Sequence, residues 1–555
     1  MAAVTKSGLD KNNKYDRQLR LWGDHGQSAL ESARVCLINA TATGTEILKN
    51  LILPGIGSFT IVDEHKVQGE DVGNNFFLSK ESIGSSRART ATELLSELNE
   101  DVSGDFIEES PSNLIENNLD FFASFTIVIA TNMHEKSLLL LGELLWNLHV
   151  PLLICRCYGF IGYIRLVVKE HNVIESHPDS THEDLRLDRP IPAFVTLCDS
   201  LDMSSMNKKD HSHTPWLIVL YKYLQQWKDS HGGQLPKIYK EKSQLKELIR
   251  NGVLKNKDGV PEDEENFDEA VRNVNTALHP TSVPSDVQKL FQDPLCLNLT
   301  SESRPFWILT RAVKDFVEHE GQGALPVRGT IPDMTSDSER YIRLQSVYRD
   351  QAARDIAAVT RRVHTLLQEL GQDEPLLGCN QFKTSSLLHS NPCSISEKDI
   401  KTFCRNSAFL RVIRCRSLKE EYNPETANLT LIGQHLEDED GDDVVFYTLL
   451  RSVDKFYEKY NHYPGYYTQQ VESDITELKA CLSKLLQDWS ISSTVKDDYI
   501  HEMCRYGASE LHTISAYIGG VAAQEAIKMV TSQFLPINNT YIYNAMKQSS
   551  TTLDL

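Results

Sequence analysis

Residues 33–39 read ARVCLIN and are followed by the turn N-A-T-A-T-G at residues 39–44. A short apolar run of this kind is typical of a strand buried on both faces of a parallel sheet. Beyond the turn, Ile47, Leu48, Leu51 and Ile52 recur at helical spacing. A strand, a tight turn and a helix in this order begin a β-α-β unit.

The same alternation continues along the first third of the chain and returns at its end. Residues 57–63, 125–131 and 150–155 predict further strands, and a Leu-rich helix separates the last two. Near the end, residues 514–528 predict a helix rich in small residues, and residues 540–543 alternate like a strand. These elements predict an α/β fold with a doubly wound, Rossmann-like sheet and right-handed crossovers.

The middle of the chain is predicted to be mainly amphipathic helix. Residues 338–370 carry apolar side chains at three- and four-residue spacing, which predicts one helix of roughly 45–50 Å. We therefore expect a large helical insertion at residues 166–488, between sheet parts at 15–165 and 489–555, after a flexible N-terminus at 1–14. Residues 371–396 predict a mobile loop, and the acidic runs 262–265 and 437–443 predict solvated turns.

Composition narrows the class of function. The chain has 555 residues, 40% hydrophobic and 24% charged, with a formal net charge of −20, which disfavours binding to nucleic acid or anionic membranes. Residues 137–155 are the most apolar stretch, but Glu143, Asn147 and Pro151 interrupt it, so no membrane span is predicted. We expect no signal peptide, eleven reduced cysteines, and a location in the cytoplasm or nucleus.

The first turn lacks the glycines that a nucleotide site needs. Only Gly44 remains of a G-x-G-x-x-G pattern, and we expect side chains at the earlier positions to obstruct phosphate approach or positive φ. Asp63 ends the second strand, where a ribose-binding carboxylate belongs. The sequence thus predicts the scaffold of a nucleotide-binding domain without its site.

Four segments carry a family resemblance that covers nearly the whole chain beyond Lys14. Residues 15–23 (YDRQLRLWG) and 518–528 (IGGVAAQEAIK) resemble the opening segment and a late helix of ubiquitin-like activating enzymes, whose adenylation domains are ThiF/MoeB-like. Residues 184–190 and 210–216 are similar to segments of the helical insertion in that family. Within the family, the similarity is to regulatory halves of heterodimers that activate the ubiquitin-like modifier of cullins, the reaction called neddylation.

Several departures from the active family members indicate an inactive adenylation half. Active members carry an Asn-x-Asn-Arg-Gln run where this chain has Gly73-Asn74-Asn75, and a phosphate-binding Lys after Ile-Gly where it has Ser85-Ser86-Arg87. The magnesium-binding Asp of the family aligns with Asn132, a poorer ligand for a hard dication. The resemblance therefore implies no cofactor on this chain, with ATP and magnesium on a partner catalytic subunit.

The resemblance also assigns roles to particular residues. It implies no catalytic residue in cis, while Arg17 acts in trans at the partner's ATP, where a guanidinium matches phosphate oxygens. A surface salt bridge of Arg17 with Asp16 or Asp24 is the alternative. Cys198 is the nearest candidate for an acyl-accepting cysteine, but it lacks the surrounding motif and is interpreted as structural.

Partner contacts are implied at two places. His213 and residues 333–346 resemble stretches that face the catalytic subunit, and small residues of the late helix permit close docking. The candidate contact residues are His213, Asp333, Met334, Tyr341, Ile342, Leu344, Gly519 and Gly520. The implied partners are the catalytic subunit in an obligate heterodimer, the ubiquitin-like modifier, and the APP cytoplasmic tail. No metal site is predicted, because histidines two residues apart do not face one ion on a helix.

Three other functions stay open on the sequence. A self-sufficient nucleotide-dependent enzyme, an adenylase or dehydrogenase, is disfavoured by the degraded loop. The regulatory half of the sumoylation-activating enzyme is disfavoured because its inserted region is much shorter. A pure scaffold role is compatible with the same residues.

Overall fold

The computed structural model describes residues 13–178, 182–371, 395–437 and 443–555. The chain divides into two compact units. The first, here called the sheet unit, comprises residues 1–173 and 412–555, and the second, the helical unit, comprises residues 174–411. The expectations for residues 1–12, for Cys379, Cys393 and most of the 371–396 loop, and for residues 438–442 of the second acidic run lie outside the described residues. The expectation of a solvated turn is wrong at Asp443, the last residue of that run, which is buried and accepts hydrogen bonds from Asn544 and Ser549.

The first part of the sheet unit alternates strands and helices. Its helices are α1 (Asp16–Ser32), α2 (Ala42–Ile52), α3 (Gly69–Asn74), α4 (Arg87–Ser96), α5 (Pro111–Asn117), α6 (Leu119–Ala123) and α7 (Glu135–Leu148). Its strands are β1 (Arg34–Ile38), β2 (Ser58–Val62), β3 (Ser103–Ile107), β4 (Ile127–Thr131), β5 (Leu152–Tyr158), β6 (Ile161–Val167) and β7 (His171–Val173). The β-α-β alternation predicted from residues 33–63 is confirmed.

The helical unit follows. Its helices are α8 (Pro192–Asp199), α9 (Lys208–Ser212), α10 (Trp216–Ser230), α11 (Tyr239–Arg250), α12 (Glu265–Ala277), α13 (Ser285–Phe291), α14 (Pro294–Leu297), α15 (Pro305–Glu318), α16 (Ser338–Glu369) and α17 (Glu397–Arg405). Strand β8 (Arg411–Ile413) lies where the chain passes from the helical unit back to the sheet unit. The predicted long helix is α16, which Asp337 caps by accepting a hydrogen bond from the Arg340 N–H at 2.8 Å.

The remaining elements return to the sheet unit. They are α18 (Leu418–Tyr422), α19 (Leu429–Leu436), α20 (Val444–Tyr460), α21 (Val471–Asp488), α22 (Asp497–Tyr506), α23 (His512–Thr531), β9 (Thr540–Asn544) and β10 (Ser549–Leu553). The late helix and strand predicted at 514–528 and 540–543 correspond to α23 and β9. The sequence analysis did not predict β3, β6, β7, β8 or β10.

The large sheet has the strand order β10-β9-β6-β5-β4-β1-β2-β3. Strands β3, β2, β1, β4 and β5 are parallel to one another, whereas β6, β9 and β10 each pair antiparallel with the strand before them in the order β5-β6-β9-β10. The chain order reverses between β1 and β4, and the crevice at such a switch point is where doubly wound folds bind ligands. The strand order therefore places any nucleotide site that the fold retains just beyond Ile38 and Thr131.

Helices cover both faces of this sheet. One face packs Leu37 and Ile129 against Ile47 of α2 and Ala523 of α23, and all four side chains are almost fully buried. The other face packs against α7 and against α20 to α22. Burial of each large apolar side chain contributes about 1.5–3 kcal/mol, so α20 to α22 are bound firmly to the sheet. For this reason residues 412–488, which the sequence analysis assigned to the insertion, cluster with the sheet unit.

Among the residues that the structure describes, no helix is both long and apolar enough to cross a bilayer. In the same described ranges, no group of three or more His, Cys, Asp or Glu side chains is arranged to hold a metal ion.

Candidate functional site

The turn after β1 keeps its shape without the first glycine. Asn39 has a φ of +66°, the left-handed conformation that asparagine tolerates better than most residues. Its side-chain amide donates to the Thr131 carbonyl at 2.8 Å, which ties the end of β1 to the end of β4. The expectation that side chains here would prevent positive φ is therefore wrong at Asn39.

Helix α2 begins at this turn with an ordinary side-chain cap. The Thr41 hydroxyl accepts a hydrogen bond from the Gly44 N–H at 3.2 Å, as a threonine before a helix commonly does. A Cβ on Gly44 would lie 2.8 Å from the Asn39 carbonyl oxygen, so glycine is required here for close packing. The helix N-terminus is thus positioned as in a nucleotide-binding domain.

A carboxylate of the chain itself lies at this helix N-terminus. Glu510 accepts hydrogen bonds from the Thr43 backbone N–H at 3.3 Å and from the Thr43 hydroxyl at 3.1 Å. The N-terminal N–H groups and the dipole of a helix favour negative charge, which is why phosphates bind at such positions. Glu510 supplies that negative charge from within the chain.

The surroundings hold Glu510 in place. Glu510 is 7% exposed, and its backbone forms a β-bridge with Gly159. Its backbone carbonyl accepts a hydrogen bond from the Asn74 side-chain amide at 2.9 Å. Burial raises the pKa of the Glu510 carboxyl, and the hydrogen bonds from Thr43 oppose that rise. The side chain is therefore fixed by contacts on both its backbone and its carboxylate.

Asp63, at the position expected for ribose binding, is engaged by other groups of the chain. It accepts from Arg87 Nε at 2.6 Å, from the Ala40 N–H at 2.8 Å, and from the backbone and ring of His65 at 2.9 and 2.8 Å. Burial alone would raise its pKa, but the hydrogen bond of His65 and the charge of Arg87 lower it to about 2. Arg87 also pairs with Asp71 at 3.1 Å, so its guanidinium is engaged by two carboxylates of the chain.

The other altered positions serve the loop itself. Asn75 accepts from the Thr45 hydroxyl at 3.0 Å and donates to the Ala40 carbonyl at 3.2 Å. The backbone carbonyl of Asn132 accepts from the side-chain amide of Asn39 at 3.4 Å. A nucleotide phosphate at α2 would meet the Glu510 carboxylate, and its magnesium would meet the neutral Asn132. The residues present do not fit ATP with magnesium.

Arg17 is placed on the outer side of α1. Its side chain is exposed, and the neighbouring Asp16 pairs instead with Arg20 at 3.1 Å. Among the described residues, no ion pair of Arg17 is formed with Asp16 or Asp24. Its guanidinium is therefore accessible to a group outside the chain.

Several of the candidate partner residues lie together in the helical unit. The His213 carbonyl accepts from the Asp337 N–H at 3.3 Å, which brings the end of α9 to the start of α16. Asp333 is exposed and accepts from the Tyr341 hydroxyl at 3.4 Å, and Met334 is partly buried. Ile342 is 61% exposed, so its apolar side chain is open to contact from outside the chain.

Two candidates serve the chain's own packing instead. Leu344 is fully buried in the core of the helical unit, two positions along α16 from Ile342. In the sheet unit, a Cβ on Gly519 would lie 2.7 Å from the Cβ of Glu46, whereas Gly520 has open space around it. The close contact that the small residues permit is between α23 and α2, so we withdraw Leu344 and Gly519 from the contact set.

Cys198 is not suited to nucleophilic chemistry. Its side chain is fully buried in α8, and burial raises the pKa of the thiol to about 12. The thiolate that acyl transfer requires is disfavoured there. The interpretation as a structural thiol agrees with this burial.

Glu510 was missed by sequence analysis. It is separated from Thr43 by 467 residues, and a single Glu before a helix has no distinguishing pattern. Arg87 was noted only as a replacement for a lysine, and its partner Asp63 only as a ribose candidate. The nearest sequence signal for Glu510 was the loss of the glycines in the turn after β1. That loss indicates that phosphate binding is disfavoured, but it does not indicate which group lies at the phosphate position.

The chain matches a family model of the ThiF family over residues 15–555. The chain therefore belongs to the ThiF family. Among curated proteins, it is 56% identical over 552 residues to the NEDD8-activating enzyme E1 regulatory subunit of Danio rerio and 57% identical over 555 residues to that of Gallus gallus, covering 100% of each chain. It belongs with these regulatory subunits, as full-length identity at this level shows.

Among solved structures, it is similar to the E. coli MccB complex with succinimide. That match has a TM-score of 0.26 and 17% identity and covers 29% of this chain and 50% of the other.

Proposed function

We propose that the chain is the regulatory, non-catalytic subunit of the heterodimeric enzyme that activates NEDD8, the ubiquitin-like modifier of cullins. In this role it docks a catalytic subunit, which holds ATP and magnesium and forms the adenylate and the thioester. The full-length relatives named as regulatory subunits support this assignment. The carboxylate of Glu510 on Thr43 is the observation that carries it, because it occupies the position of a phosphate with the same sign of charge.

The chain binds no cofactor of its own on this proposal. Asp63 is held by Arg87, Asn132 is neutral, and Glu510 lies at the helix N-terminus. Changing any one of these three residues to suit a nucleotide would leave the other two obstacles in place. Loss of nucleotide binding is therefore distributed over the site.

Arg17 is the group that we propose contributes to the chemistry. Its guanidinium is exposed and presents a planar fork of donors to phosphate oxygens. Supplied in trans, it would stabilise the negative charge that develops during adenylation. Arg17 orients the phosphate and stabilises its charge, whereas the groups that react belong to the partner subunit.

Docking of the catalytic subunit is assigned to the remaining candidates. They are His213, Asp333, Met334, Tyr341, Ile342 and Gly520. The exposed Ile342 and the exposed Asp333, which accepts from the hydroxyl of Tyr341, supply an apolar anchor and a polar group of the kinds that interfaces use. Association of the two subunits would bury Ile342.

Reconstitution tests the proposal directly. The purified chain is combined in turn with the catalytic subunits for NEDD8 and for the sumoylation modifier, and thioester formation on each is measured with each modifier. Activity with the NEDD8 pair alone supports the proposal. Activity only with the sumoylation pair would contradict the proposal and identify the chain as the regulatory half of the sumoylation-activating enzyme.

A second measurement addresses the self-sufficient adenylase. ATP–pyrophosphate exchange is measured on the isolated chain and on the reconstituted heterodimer. Exchange by the heterodimer alone supports a non-catalytic subunit, whereas exchange by the isolated chain contradicts it. Binding of the APP cytoplasmic tail, contact with the modifier, and a cytoplasmic or nuclear location stay predictions of the resemblance.

A further inference from the structure

The first turns of α1 form a separate stretch of helix that carries Arg17. Helix α1 (Asp16–Ser32) is interrupted at Gly23, whose φ of +66° and ψ of 176° are not helical. This combination is open almost only to glycine, and residues held in such conformations cluster at functional sites. Residues 16–22, here called the α1 arm, therefore take a direction of their own, which the bend at Gly23 sets.

Tyr15 anchors the beginning of the α1 arm. It is 2% exposed, and its hydroxyl accepts a hydrogen bond from the side-chain amide of Asn99 at 3.0 Å. The same amide donates to the Ile52 carbonyl at 2.8 Å, at the end of α2. A Cβ on Gly55 would lie 2.7 Å from the Tyr15 hydroxyl oxygen, so the phenol is closely packed. Packing and hydrogen bonds together fix the start of the arm.

Trp22 anchors the end of the α1 arm. It is 6% exposed, and its indole Nε1 donates to the side-chain oxygen of Gln27 at 3.2 Å. Gln27 in turn donates to the Pro54 carbonyl at 3.0 Å. The backbone carbonyl of Trp22 accepts from the side-chain amide of Gln533 at 3.0 Å. Gln27 and Gln533 are 5% and 1% exposed, so these hydrogen bonds are shielded from water.

Arg17 lies on the outer side of the arm that these anchors hold. Tyr15 and Trp22 are seven positions apart, a spacing that places two residues on one side of a helix, whereas Arg17 follows Tyr15 by two positions, about 200° around the axis. Arg17 and Leu21, four positions apart, are both exposed. The anchors therefore order the backbone that carries Arg17 while its side chain stays accessible.

We propose that Gly23, together with the anchors Tyr15 and Trp22, positions Arg17 for its action in trans, which rests on the role given to Arg17 in the proposed function. The bend sets the direction of the α1 arm, and the anchors hold that direction before the partner binds. A group held in place in advance loses less entropy when it engages the reacting phosphate. The three residues act through Arg17 and are positioning residues.

Single-turnover adenylation by the reconstituted heterodimer tests this role with the variant Gly23→Ala. Alanine is strained at this φ and ψ, so the arm has to change direction, and the rate should fall by roughly tenfold. The control Gly232→Ala places alanine at a similar φ of +61° in the helical unit, where no atom lies within 4 Å of the added Cβ. It should leave the rate unchanged.

A double-mutant cycle separates positioning from a general structural effect. In the Arg17→Ala chain, Gly23→Ala should lower the rate no further, because the group that it positions is gone. Effects of the two changes that multiply would overturn the proposal. A normal rate for Gly23→Ala beside a slow Arg17→Ala rejects the positioning role alone. A normal rate for Arg17→Ala rejects the trans role, and the positioning role with it.

Hydrogen exchange of the full chain, before the partner is added, measures the order of the arm without any activity. The amides of residues 19–22 should exchange faster in Gly23→Ala and in Tyr15→Phe than in the unchanged chain, because an anchor or the bend is altered. Tyr15→Phe keeps the ring and loses only the hydroxyl contacts, so it decides the question if Gly23→Ala does not fold. Its adenylation rate should also fall, but only while Arg17 is present. Unchanged exchange, or faster exchange without a slower rate, would overturn the proposal.

Discussion

The two carboxylate oxygens of Glu510 bind the backbone N–H and the hydroxyl of Thr43 at 3.3 and 3.1 Å, across 467 residues of sequence. The contact joins the loop before α23 to the first turn of α2. It places an internal anion where related folds bind a phosphate. The same contact thus closes the nucleotide position and connects the two sequence parts of the sheet unit.

The first prediction concerns the strength of this contact. The variant Glu510→Ala leaves the Thr43 N–H buried without an acceptor, which should lower the free energy of unfolding by about 1–3 kcal/mol. Glu510→Gln should cost less, because an amide oxygen can still accept. Chemical denaturation of the full chain measures both, with Glu116→Ala at an exposed glutamate as control. A Glu510→Ala chain as stable as the control would show that the contact contributes nothing.

The second prediction concerns acid stability. The pKa of Asp63 is about 2 in the folded chain against 3.8 ordinarily, so its stabilisation is present above pH 4 and lost as the pH falls toward 2. The shift corresponds to about 2 kcal/mol. Unfolding titrations should therefore give a shallower acid limb for Asp63→Asn than for the unchanged chain. Asp120→Asn, at an exposed position, should keep the original slope, and equal slopes for both variants would contradict the assignment.

The third prediction separates two neighbouring arginines of α1. Arg17→Ala should lower adenylate formation by the reconstituted heterodimer on the order of tenfold or more, because a positioned donor to the developing charge is lost. Arg20→Ala, which removes only an exposed pair with Asp16, should leave the rate unchanged. Single-turnover kinetics and a binding titration together measure rate and association. The trans role is rejected if both variants adenylate alike.

The fourth prediction compares two adjacent glycines of α23. Gly519→Ala brings a Cβ to 2.7 Å from Glu46, so α23 must shift on α2, which should cost about 1–3 kcal/mol. Gly520→Ala has room and should be neutral, or stabilise by up to about 1 kcal/mol through helix propensity. Thermal unfolding of the two isolated variants checks this. Equal stability of the two would contradict the proposed packing.

A bulkier change at Gly520 tests docking separately. Gly520→Leu should leave the stability of the isolated chain close to that of Gly520→Ala while weakening association with the catalytic subunit. Isothermal titration provides the dissociation constant. Unchanged affinity would remove Gly520 from the contact set.

The fifth prediction contrasts two residues of α16. Leu344→Ala should destabilise the chain by about 2–5 kcal/mol, because it leaves a cavity in a packed core. Ile342→Asp should leave stability nearly unchanged and raise the dissociation constant of the heterodimer, because Ile342 is exposed in the isolated chain. Denaturation and titration on both variants distinguish folding from docking. A normal dissociation constant for Ile342→Asp would place the interface elsewhere.

The local sequence pattern was enough to predict much of the fold. Residues 33–39 and 57–63 are continuous apolar runs because parallel strands are buried on both faces, and they became β1 and β2 almost unchanged. The helix at 338–370 was found at Ser338–Glu369 because its apolar stripe repeats over many turns. Strands such as β3, with the sequence SGDFI and no fully buried residue, carry no such signal and were missed.

The sequence by itself determined the β-α alternation, the helical insertion, the family resemblance and the loss of the glycines, because these depend on residue types and spacings along the chain. Tertiary structure alone decided that Asn39 keeps the turn, that Glu510 meets Thr43, and that Leu344 and Gly519 face inward. The physical reason is that hydrogen bonds and steric contacts depend on distance in space. Residues separated by hundreds of positions come within 3 Å only through the sheet order and helix packing that the whole chain specifies.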